Sequence, residues 1–110
     1  MAEPQGDWAA VIAAHSRGDY ATASRLIHGL AERGDADAQY DVAVLYQIGE
    51  DVPQDYVQAY KWYSLAAQNF TTADADMRDR ALKNRDRIAA LMTSAQIADA
   101  QRRAREWRSR

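Results

Sequence analysis

Two stretches of the chain repeat one another at a constant offset, and that offset narrows the folds open to it. "GDYATASRLIHGLAE", from Gly18, superposes on "QDYVQAYKWYSLAAQ", from Gln54. Asp19 matches Asp55, Tyr20 matches Tyr56 and Ala23 matches Ala59, each 36 positions apart. This is close to the ~34 residues of one stacked helix pair. A single pair cannot bury its apolar face alone, so the pairs are expected to stack into a short right-handed α-solenoid.

Capping residues and breakers place the helices. Asp19 and Asp55 stand as N-caps before apolar periodicity, and Gln58 sits three beyond Asp55 as in a capping box. A first helix is predicted over about 7–17, stopped by Gly18, and a third over about 36–48, stopped by Gly49. Asp35 caps that third helix, and Pro53 forbids its continuation into the fourth. A longer fifth helix is predicted over about 72–92. A sixth starts at the Thr93 cap, with Gln96 as partner and an apolar stripe of Ile97, Ala100, Ala104 and Trp107. The expectation is all-α, about six helices in antiparallel pairs. It is one domain over 1–110, with a degenerate first repeat over 7–34, a better repeat over 35–70 and C-terminal capping helices over 71–110.

The densest aromatic stretch, residues 55–68, holds Tyr56, Tyr60, Trp62 and Tyr63. Advancing ~100° per residue, Ala59, Tyr63, Ala66, Ala67 and Phe70 share one arc, with Tyr56, Tyr60 and Trp62 on its edges. Lys61, Ser64 and Gln68 take the opposite face. The small alanines let neighbouring backbones approach and the rings fill the remaining space, so this stretch reads as core rather than as a ligand cage.

The run "DADAQYDVAVLYQIGEDVPQDYVQAYKWYSLAAQ" resembles a Sel-one-like repeat, a relative of the tetratricopeptide repeat. Ala38, Val42-Ala43, Tyr46, Gly49, Val52, Asp55, Ala59, Trp62-Tyr63 and Ala66-Ala67 occupy the places of that pattern. Of these, Ala38, Tyr46, Ala59, Trp62, Tyr63, Ala66 and Ala67 are expected as the structural core of the repeat. Two departures stand out. Val42-Ala43 replaces a Leu-Gly pair, and Asp51 replaces the second turn glycine, a place where Asp tolerates the left-handed backbone better than most residues. The tail "LMTSAQIADAQRRAREW" is similar to the closing segment found after such repeats in bacterial members.

Chemistry that would make an enzyme is missing. The chain has no cysteine, which excludes disulfides, thiolate metal sites and cysteine nucleophiles. His15 and His28 fall on different predicted helices and in no metal-binding spacing, so neither a metal nor a cofactor is expected. The acid pairs Asp35/Asp37, Glu50/Asp51 and Asp74/Asp76 flank helix starts or turns, where they complement the helix dipole. No Gly-rich phosphate cradle appears.

Charge is divided unevenly. Residues 1–77 carry 12 acids against 4 bases, and residues 78–110 carry 4 against 10. Arg102, Arg103 and Arg105 lie outside the apolar stripe of the last helix. A net charge of −2 and the lack of interleaved aromatics argue against nucleic acid. No run approaches the ~18 apolar residues of a membrane span. The start "MAEPQ" has no basic or apolar signal region. It reads as a mature exported chain with an added Met, or as an ordinary cytosolic start, and a bacterial periplasmic or secreted setting is favoured slightly over the cytoplasm.

The resemblance implies a non-enzymatic adaptor or scaffold that holds a protein or peptide on its concave face. Matched to tetratricopeptide geometry, that face should carry Trp8, Ile12 and His15 from the first helix. From the third it should carry Asp37, Tyr40, Val44 and Gln47. The alternative is a structural homo-oligomer, assembled by pairing acidic N-terminal and basic C-terminal halves.

Overall fold

The structure, a computed structural model, describes residues 4–109, with side chains from Trp8 onward. The first residues of the "MAEPQ" start therefore lie outside the described residues. Six α-helices follow in order among them: α1 (Pro4–Ser16), α2 (Tyr20–Glu32), α3 (Ala36–Ile48), α4 (Tyr56–Asn69), α5 (Ala75–Ala89) and α6 (Ser94–Arg108). No strand occurs among the described residues. The fold is an all-α repeat solenoid, as expected.

Each predicted N-cap bond is made, but the capping box expected of Asp55 and Gln58 is not closed, because the Asp55 amide donates to the Tyr46 carbonyl at 2.9 Å. The Asp19 carboxylate accepts from the Thr22 amide at 3.2 Å, Asp35 from Ala38 at 3.0 Å and Asp55 from Gln58 at 3.1 Å. At α6 the bonds are reciprocal: Thr93 Oγ1 accepts from the Gln96 amide at 3.1 Å, and the Gln96 side chain accepts from the Thr93 amide at 2.8 Å. Such a cap is worth ~1 kcal/mol, so local chemistry fixes where these helices begin.

The turn between α3 and α4 needs two left-handed residues, Gly49 at φ 76° and Asp51 at φ 65°. A Cβ on Gly49 would stand 3.2 Å from Gln54 Cβ, so glycine suits the position twice over. Asp51 confirms that the turn survives without its second glycine.

Two helices differ from their expected extents: α1 begins at Pro4, ahead of the expected start near residue 7, and the fifth is shorter than predicted. In place of a helix over about 72–92, residues Thr72–Asp74 form a 3-10 turn and α5 covers Ala75–Ala89. At the far end the amides of Leu91 and Met92 turn back onto Ile88 and Ala89, three residues earlier. The chain thus tightens out of the α-helix before the Thr93 cap opens α6.

Packing is sequential from α1 to α5, but α6 makes its main contact with α4. Flanked by α3, α5 and α6, α4 is buried around most of its circumference. Ala59, Tyr60, Trp62, Tyr63, Leu65, Ala66 and Ala67 all belong to the core. The reading of Ser64 as outward-facing is corrected by this arrangement. Its Oγ is buried, with no hydrogen-bond partner among the described residues. Lys61 is half-buried, its Nζ 4.4 Å from the centre of the Trp62 ring, and only Gln68 stays exposed. Tyr46 sits at the rim of the core, half-buried and edge-on to His28 at 6.0 Å.

Two long-range clasps tie the stack. Trp107 of α6 meets Trp62 edge-to-face at 6.2 Å and donates from its indole to Glu32 of α2 at 3.3 Å. Gln39 of α3 is 0% exposed, a burial unforeseen from its polarity. Its amide donates to the Ala31 carbonyl at 3.1 Å and accepts from Asn69 at 2.9 Å. These bonds satisfy a polar group that would otherwise be costly to bury, and they join α2, α3 and α4.

Candidate functional site

On α1, Trp8, Ile12 and His15 recur at i, i+4 and i+7 and so share one face. On α3, Asp37, Tyr40, Val44 and Gln47 likewise form one stripe. Asp35 joins the two helices: while one carboxylate oxygen caps α3, the other accepts from the Trp8 indole at 3.0 Å. Trp8 is half-buried, packed against the core.

The remaining residues divide into open and engaged. Ile12 is 64% exposed, an apolar side chain left in water. His15 is exposed, its ring edge-on to Tyr20 at 5.0 Å. Asp37 is exposed and Val44 half-buried against the core. Tyr40 and Gln47 are already employed inside the molecule. The Tyr40 hydroxyl accepts from Asn84 at 2.8 Å, and its ring meets Tyr63 edge-to-face at 5.5 Å. The Gln47 side chain accepts from the Tyr63 hydroxyl at 2.6 Å.

Sequence reasoning missed Asp41, which stands four residues after Asp37 on the same stripe. The residue is exposed as a whole, while its carboxyl lies close to other charged groups. Lost hydration there, and then repulsion from Asp37 and Asp35, push its pKa up to about 6, while His15 pulls it back. Asp37 is also raised, by burial first and then by Asp35 and Asp74. In both, burial is the larger cause and neighbouring carboxylates add to it. The i, i+4 spacing from Asp37 was the signal that could have found it. Ile48, four residues after Val44 and 57% exposed, stands beside Gln47 at the end of the stripe.

The face continues onto α5. A hollow of about 520 Å³ lies between Tyr40 and α5, lined by Asp76 and Asp79 as well as by Arg80, Lys83, Asn84 and Arg87. The capping role expected for α5 gave no hint of this. Counting α5 as the first helix of a third pair would have done so, because Asp74 stands 39 residues after Asp35 at the same point of a helix. Among the described residues no group of three His, Cys, Asp or Glu is placed to hold a metal, and no helix is long and apolar enough to cross a membrane.

The helix pair α3–α4, with its left-handed turn and its alanine-lined contact, coincides with a known family unit. The family model described as Sel1 repeat matches residues 36–69. The chain carries a Sel1 repeat. Repeats of this kind are non-catalytic and generally mediate protein–protein interaction. The Sel1 repeat supplies Asp37, Tyr40, Asp41, Val44 and Gln47 of the face, whereas α1 and α5 border it from outside the matched residues. No curated protein and no solved structure matches the chain.

Proposed function

We infer that the protein is a non-enzymatic adaptor or scaffold that holds a peptide or protein segment on the face formed by α1 and α3. The observation that carries this reading is Ile12, an open aliphatic side chain one turn along α1 from the half-buried indole of Trp8. That indole bonds Asp35 at the start of the α3 stripe, which carries the carboxylates of Asp37 and Asp41. An apolar anchor point rimmed by charge is the pattern of a protein-recognition surface. The carboxylates favour a partner that presents Lys or Arg, and a preformed helix stack needs little ordering to bind it.

Tyr40 and Gln47 are poor probes of this face because each holds an internal hydrogen bond. Ile12→Ser and Asp37→Asn change exposed side chains instead. In a pull-down, both should lose a partner that wild type retains, with helical circular dichroism unchanged. Retention of every partner by both variants would refute the assignment. The division of charge between residues 1–77 and 78–110 supports a second reading, salt-sensitive self-association. Sedimentation velocity tests it, and a monomer at both low and high salt rejects it.

A further inference from the structure

Because α6 packs on α4, an open groove of about 450 Å³ runs between α5 and α6 with α4 as its base. We propose that this groove is a second docking site, taking an acidic peptide segment of a protein partner. Its walls carry Arg78 and Arg85 from α5 and Arg105 and Arg108 from α6, and among the described residues no Asp or Glu lines it. Between the walls the floor is partly apolar, formed by Tyr60, Leu82 and Ala104.

The arginines differ in how far they are already satisfied. Arg78 and Arg85 each have the next residue in sequence as a carboxylate neighbour, Asp79 at 3.8 Å and Asp86 at 3.4 Å. Arg85 also lies over the Tyr60 ring, 5.4 Å from its centre. On α6, Arg108 donates to a neutral amide, Gln68, at 2.7 Å. Neither Arg105 nor Arg108 has a carboxylate in ion-pair range among the described residues. The other arginines of that helix do: Arg102 pairs with Asp99 and Glu106, and Arg103 with Asp99 at 3.2 Å. The helix thus neutralises its charges on one side and leaves the groove side cationic.

Guanidinium groups on two facing walls suit carboxylates held in pairs, and an aliphatic floor suits an intervening apolar side chain. A nucleic acid fits less well. The chain is acidic, with a pI near 5.6, and the groove's one ring, Tyr60, is buried and covered by Arg85 instead of being open for base stacking. The site shares no residue with the α1–α3 face, so it stands whether or not that face binds a partner.

The test is fluorescence anisotropy of a labelled peptide alternating pairs of glutamate with leucine, against the same peptide with glutamine for glutamate. Wild type should bind the glutamate peptide, more weakly as salt rises. The double variant Arg105→Gln/Arg108→Gln should weaken binding ~10-fold or more through loss of charge-assisted hydrogen bonds. Arg17→Gln/Arg25→Gln, on the α1–α2 end of the stack, removes equal charge outside the groove and should leave binding near wild type. Gln101→Glu, which adds a carboxylate to the groove, should also weaken it, covering the case in which the arginine pair unfolds the protein. Several results overturn the proposal: no binding by wild type at millimolar peptide, equal loss in both arginine pairs, or tighter groove-dependent binding of a single-stranded oligonucleotide. So does a dimer that Arg105→Gln/Arg108→Gln dissolves and the peptide does not displace.

Discussion

Gln47 is a residue on which two roles compete, and the Tyr63 hydroxyl decides between them. Tyr63 is fully buried, and its hydroxyl donates to Gln47 Oε1 at 2.6 Å across the α3–α4 contact. Burial and the neighbouring Tyr40 push its pKa up to about 12, so the hydroxyl keeps its proton throughout the working range. Tyr63→Phe removes one hydrogen bond without changing the ring and should cost ~0.5–1.5 kcal/mol. Gln47→Ala leaves the phenol without its acceptor inside the core, which should cost ~1–3 kcal/mol. The two effects share one bond, so the double variant should fall short of their sum by ~1 kcal/mol. Urea unfolding followed by circular dichroism reads each corner of this cycle. A loss of 1 kcal/mol corresponds to ~4–8 °C in Tm for a domain near this size. Strict additivity would show that the bond contributes nothing, and Gln47 would then be free to serve a partner.

Two further outcomes follow from the turn and from the Asp41 carboxyl. Asp51→Gly should stabilise the fold by ~0.5–1 kcal/mol and Asp51→Val should destabilise it by at least ~1 kcal/mol, because only glycine adopts the left-handed backbone freely; equal urea midpoints for both would contradict the strain. The raised pKa of Asp41 means that the folded state holds that proton more tightly than the unfolded chain. Its stabilising contribution is therefore present below the unfolded pKa of about 4 and lost as pH rises through about 6. Asp41→Asn should accordingly be more stable than wild type at pH 7, with the gap closing below pH 4, as thermal melts across that range would show.

Much of the helical scaffold was legible from local chemistry. Asp19, Asp35, Asp55 and Thr93 set helix starts through bonds to amides three residues away, and Gly18 and Gly49 end helices through backbone freedom alone. Such interactions need no distant partner, so they can be read from spacing. The candidate face was legible in part for the same reason: helical periodicity put Trp8, Ile12 and His15 on one side of α1. It missed Asp41, and it did not reveal that Tyr40 and Gln47 are tied to Asn84 and Tyr63.

What periodicity cannot supply is the choice of neighbour. The pattern of α4 reads as one buried arc with an outward side, and on a helix packed only by α3 and α5 that side would be wet. The docking of α6 on α4 covers it, burying the Ser64 hydroxyl and opening the arginine groove beside α5. Gln39 is the same lesson at one residue: its polarity argues for the surface, and only the meeting of the Ala31 carbonyl and the Asn69 amide makes its burial tolerable. Caps, turns and helix faces were settled within a few residues of sequence. Which faces were buried, and which charges were left unpaired, depended on contacts between helices far apart in the chain.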